Sequence, residues 1–141
     1  MKTKTLLAMG LCAAIGLFAS QTTLVAEDAH DETAKKIEVP GTLDGIMKEI
    51  HMHHQELADT VKAKKLSTVH EHAFAIRDLA KGLPAKVNPD HKKHIEGLVK
   101  KISQIAEDLD KSGDAGDQAT TEANLKKLDA TLKSVDEMTS M

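Results

Sequence analysis

From Gly41 onward, apolar residues recur every third or fourth position, the spacing that places them on one face of an α-helix. The first stripe is Leu43, Ile46, Met47, Ile50, Leu57 and Val61. Thr42 precedes it as an N-cap, and Lys62, Lys64 and Lys65 end it. The second is Val69, Ile76, Leu79 and Leu83, opened by Thr68 with Glu71 three residues on, a capping-box signature, and stopped by Gly82 and Pro84. The third is Ile95, Leu98, Val99, Ile102, Ile105 and Leu109, with Asn88 as cap and Pro89 in the first turn. "KSGDAGD" (Lys111 to Asp117) breaks it, with Gly113 as the expected C-terminal glycine. The fourth is Leu125, Leu128, Leu132 and Val135, capped by Asp117 or Thr120. Short connections make neighbouring helices antiparallel. The fold expected is all-α, an up-and-down antiparallel four-helix bundle over residues 42–139; a three-helix core with a loose fourth helix is the weaker alternative.

The segment before Gly41 has another character. Lys2 and Lys4 precede an apolar run, Leu6 to Phe18, of signal-peptide length and too short to span a bilayer comfortably. Small residues at Ala19 and Ala26 offer cleavage points. Residues 1–26 read as a signal peptide and the protein as exported, to a periplasm, with no stable membrane anchor after cleavage. Leu11 before Cys12 lacks the small side chain of a lipoprotein signal. Residues 27–41 read as a flexible charged leader, tethered by Ile37 and Val39.

Cleavage after Ala26 changes the chemistry available. The remaining chain has no cysteine, hence no disulfide and no thiolate. It keeps 17 basic residues against 22 acidic ones, a net charge of −5 without a basic patch, which argues against nucleic acid. Phe74 becomes its only Phe, Tyr or Trp, so the core is aliphatic. No nucleophile stands with a base and an orienting acid, so no enzyme is expected.

The candidate chemistry lies in histidines, eight in all. "IHMHHQEL" (Ile50 to Leu57) holds His51, His53 and His54, and "HEH" holds His70 and His72. At about 100° per residue, His54 and His72 fall on the apolar stripes, His51 and His53 flank theirs, and His70 turns away. The expected ligand pair is His54 with His72, helped by His53 or His51. His91, on the third stripe, and His94 beside it form a weaker second candidate. Neutral imidazole suits copper, zinc and nickel, and Met47 and Met52 add soft donors. Against this stands the plainer reading of structural or solvated histidines. On the helical wheel Phe74 and Met52 point outward, offering a patch for a partner.

Other patterns fail on their own terms. "DLDKSGD" (Asp108 to Asp114) opens like a calcium loop, but its twelfth position is Ala119 rather than an acid. Haem attachment through C-x-x-C-H is absent, the fourth helix has no histidine for an axial pair, and aromatics are nearly lacking, so no haem is expected.

"VHEHAFAIRDL" (Val69 to Leu79) and "GDAGDQATTEANLKKL" (Gly113 to Leu128) resemble a small exported bacterial helical domain found alone or beside adaptor proteins of heavy-metal efflux systems. The resemblance covers roughly residues 41–135. It implies a periplasmic efflux component as partner, and it places weight on His51, His53, His70 and His72. The architecture is similar to the cytochrome c′ and b562 bundles, without their haem-attachment residues. The expected function is a periplasmic metal-binding accessory protein for copper, zinc or nickel; the alternative is a metal-free structural or protein-interaction module.

Overall fold

A computed structural model describes residues 37–141; the expected signal peptide and the leader as far as residue 36 lie outside the described residues. Four α-helices follow in order: α1 (Leu43–Lys62), α2 (Val69–Ala80), α3 (Pro89–Asp114) and α4 (Gln118–Thr139), with 3-10 turns at Leu66–Thr68 and Leu83–Ala85. There is no strand among the described residues, and none of their helices is long and apolar enough to cross a membrane. Helices adjacent in sequence pack most extensively, and α1 also meets α4 along a lighter seam, the neighbour relations of a bundle.

The helix starts follow from local chemistry. Thr42 Oγ1 accepts the amide of Gly45 at 3.1 Å, and Asn88 Oδ1 that of Asp90 at 3.2 Å, ahead of Pro89. Asp117 caps α4: Oδ1 accepts the Thr120 amide at 3.0 Å and Oδ2 the Thr120 hydroxyl at 2.6 Å. Asp117 and Thr120 are thus the cap and its third-residue partner, not rival caps. The capping box at Thr68 does not form. Thr68 Oγ1 instead donates backwards to the Lys65 carbonyl at 3.1 Å, because the preceding 3-10 turn already occupies that residue.

The helix ends differ from expectation for a packing reason. α3 runs through Ser112 and Gly113 to Asp114, so Asp108 to Asp114 is helix and forms no calcium loop. Gly116, with φ +66°, takes the left-handed position expected of Gly113. The Asp117 amide then reaches the Ser112 carbonyl and the Gly116 amide that of Gly113, each at 2.9 Å, a Schellman closure. α1 closes in the same way, with the Lys65 amide on the Thr60 carbonyl, the Lys64 amide on that of Val61, and Lys64 at φ +58°. Gly113 is needed for closeness instead. A Cβ there would stand 2.8 Å from the Leu66 carbonyl oxygen and 3.3 Å from Val69 Cβ.

The core is aliphatic, as composition requires. Ile46, Ile50 and Leu57 of α1, Ile76 and Leu79 of α2, Ile95, Ile102 and Leu109 of α3 and Leu128 and Val135 of α4 are fully or almost fully buried in one cluster. Each such side chain contributes roughly 1.5–3 kcal/mol of burial free energy. Ile37 of the leader packs against this cluster, while Val39 is 41% exposed, with its Cγ1 lying over Gly82. The α3–α4 end carries a buried polar cluster as well. Thr121 Oγ1 donates to Ser112 Oγ at 3.0 Å, and Asn124 Nδ2 to the Asp108 carbonyl at 3.1 Å.

Two glycines of α3 separate packing from helix propensity. Gly97 has open space at its Cβ position, and Gly113 faces a backbone carbonyl. Gly97→Ala is expected to stabilise the fold by up to about 1 kcal/mol. Gly113→Ala is expected to destabilise it, since overpacking of about 1–3 kcal/mol outweighs the same propensity gain. Urea denaturation of both variants checks the opposite signs.

Candidate metal centre

α1 lies between α2 and α4, and this position distributes its histidines. His53 and His54 are about 100° apart on the helix and face different neighbours. His54 Nε2 meets Asp129 Oδ1 of α4 at 2.5 Å, and His51 Nε2 meets Asp136 Oδ1 of α4 at 2.9 Å. The expected inward pairing of His54 with His72 is therefore not what the structure brings together. The partner of His72 is His53, from the opposite flank of the α1 stripe.

His53, His72 and Glu56 form a compact triad across the α1–α2 seam. The two Nδ1 atoms are 3.3 Å apart, within hydrogen-bond distance when one ring carries its proton there and the other does not. Glu56 Oε2 lies 3.4 Å from His53 Nδ1 and 3.2 Å from His72 Nδ1. The rings are tilted by 42° with centroids 5.6 Å apart. The imidazole side chains are about one-fifth exposed, at 21% and 22%, and the carboxylate is 49% exposed, so the triad is held by packing yet open to solvent.

These spacings have a chemical meaning. Ligand atoms at about 2.0–2.1 Å from a tetrahedral ion stand about 3.3–3.4 Å from each other. The three donor atoms are at that separation, and two nitrogens with one carboxylate oxygen form a donor set zinc and copper accept. Glu56 is the residue that sequence reasoning missed. It follows His53 by three positions, so both share a helix face, but acidic residues are too frequent in this chain for that spacing to single it out.

The remaining candidates separate into groups. His70 turns from α1 and lies on the α2–α3 side, where its ring nitrogen and the carboxylates of Asp110 and Asp114 fall within 4.8 Å of one another. His91 is half-buried and His94 exposed; among the described residues neither joins a group of three ligand-type side chains. Met52 is 45% exposed, in keeping with the wheel. Phe74 is not: it is half-buried, packs against the core, and carries the Arg77 guanidinium 4.3 Å above its ring. The cation closes over the face that the wheel leaves open.

Arg77 also binds Asp78, through Nε to Oδ1 at 2.9 Å, and Lys81 Nζ reaches the same oxygen at 2.8 Å. Partial burial opposes the charge on Asp78, but the hydrogen bonds and charges of Arg77 and Lys81 outweigh it and hold the carboxyl below its ordinary value. At Asp117 the hydroxyl and amide of Thr120 do the same. Comparisons with protein-family models, curated proteins and solved structures find no match to this chain.

Lowered carboxyl values set the sign of the acid response. A group whose folded value lies below its unfolded one, near about 3.9 for Asp, stabilises the fold above that pH and ceases to do so as pH falls through the folded value. The melting temperature is therefore expected to drop below about pH 4. Asp117→Asn keeps a capping oxygen but no charge. It should melt lower than the parent at pH 6, with the gap closing towards pH 3, as followed by circular dichroism.

Proposed function

We propose that this protein is an exported, periplasmic metal-binding accessory protein, non-catalytic, taking one zinc, copper or nickel ion at His53, Glu56 and His72. The observation that carries the reading is the near-equilateral donor triangle of 3.2–3.4 Å, spanning two helices. Two imidazoles and one carboxylate leave at least one coordination position for water or for a ligand from another protein. That suits an ion in transit, and the partner proposed is a periplasmic component of a metal-efflux system. Export rests on the charged start and apolar run at Lys2 to Phe18.

We also take the bundle to be up-and-down and antiparallel. Pairs between α1 and α4 run His51 with Asp136 and His54 with Asp129, so one number rises as the other falls. Between α3 and α4, Asp108 pairs with Asn124 and Ser112 with Thr121, in the same opposed sense.

Titration of residues 27–141 with zinc, copper and nickel by calorimetry tests the site. Expected is binding that His53→Ala and His72→Ala each abolish and Glu56→Gln weakens, while Asp129→Asn leaves it unchanged. Binding no tighter than about millimolar, or indifference to the two histidine changes, overturns the metal reading in favour of a metal-free interaction module.

A further inference from the structure

α2 presents its two histidines to different neighbours. Residues 70 and 72 are about 200° apart on a helix. His72 serves the α1 seam and His70 the α3 seam, beside Asp110 and Asp114. The two aspartates are one turn apart on α3 and so share a face. Both sit near the C-terminus of that helix, the negative end of its dipole.

Among the described residues, neither Asp110 nor Asp114 has an ion-pair partner, and neither carboxylate accepts a hydrogen bond. His70 also lacks a polar partner; only the Phe74 ring lies beside it, with centroids 6.4 Å apart. The other four histidines of α1 and α2 each have a carboxylate oxygen within 3.4 Å. Around His70, three donor atoms converge to within 4.8 Å without any ion pair closing the gap. Two carboxylates and a neutral imidazole carry −2, the balance of one divalent cation, at a helix end whose dipole also favours a positive charge.

We infer that His70, Asp110 and Asp114 form a second divalent-cation site, across the α2–α3 seam, distinct from the histidine triad. Its donor set is harder than that of the triad: one nitrogen and two carboxylate oxygens against two nitrogens and one. Carboxylates and water suit manganese, whereas a nitrogen-rich set suits zinc and copper. The second site thus takes an ion of the manganese class, which leaves the triad to softer ions. This assignment does not depend on the first site being occupied.

The test is manganese alone, added to residues 27–141 and followed by the loss of the free-ion electron paramagnetic resonance signal. One bound equivalent is expected. Asp110→Asn and Asp114→Asn should each weaken it by at least the roughly 10–100-fold that changes to mere supporting groups cause, and His70→Ala should weaken it similarly. His53→Ala and His72→Ala should leave it intact, so the two sites fail or stand separately. In the absence of metal, the aspartate variants should melt no lower than the parent, because they remove charges that repel. No retention of manganese below about millimolar, or retention unaffected by the two aspartate changes, overturns the inference.

Discussion

The arrangement of the molecule depends on a gap in one apolar stripe. α1 buries Ile46 and Ile50 and then Leu57 and Val61, and the turn between them offers only His53 and His54 to the interior side. Those two rings lie on the flanks where α2 and α4 close in, and are only 21% and 26% exposed. Buried or half-buried polar groups need partners, and an unmade hydrogen bond there costs more than a made one gains. The neighbours supply them in opposite directions: α4 brings Asp129 to His54, and α2 brings His72 to His53. The polar layer thereby joins both seams of α1, and the convergence of Glu56 on the α2 side follows from its sharing a face with His53.

The α3–α4 pair solves a similar problem with neutral groups. α4 has fewer large buried aliphatics than α3 and buries Thr121, Asn124 and Thr131. Ser112 and the Asp108 carbonyl receive the hydrogen bonds of Thr121 and Asn124, so this seam is specified by direction as well as by apolar area. Gln118 extends the pattern to α1, donating Nε2 to the Val61 carbonyl at 2.9 Å where that helix ends. Aliphatic packing tolerates sliding; such bonds do not, since each is lost over about an ångström of displacement.

Much of the fold was legible because its signals are local. Stripes, the Thr42 and Asn88 caps and the Pro89 start are each decided within a few residues, and the structure follows them. Thr68 and Glu71 satisfy a capping box in the sequence but not in the chain, because the 3-10 turn of Leu66–Thr68 takes the hydroxyl first. Gly113 and Gly116 are equally good glycines to a reader; contact with Leu66, distant in sequence, assigns one to close packing and leaves the turn to the other. The histidines show the same limit. A wheel centred on the stripe of one helix ranks His54 above His53, but it contains no information about which neighbour lies on which flank. Glu56 carried no signal of its own, since carboxylates on amphipathic helices are usually solvated, and Asp110 and Asp114 carried only that of a calcium-loop opening, which the helix running through Asp114 does not form.

Exposure and donor count bear on what an ion would do here. Structural zinc sites are closed, four-coordinate, and contribute the folding energy of domains that otherwise lack a core. This bundle has a continuous aliphatic core from all four helices without any ion. The triad has three donors, one of them on a half-exposed carboxylate. An ion held there would add little that the core does not already supply, and it would remain reachable by a fourth ligand from outside. A competing donor can then add before a protein donor leaves, so exchange needs no opening of the bundle. An ion at the proposed site would then be exchangeable rather than a staple of the fold. That follows from two helices meeting at a polar layer whose own hydrogen bonds hold the donors in place before any ion arrives.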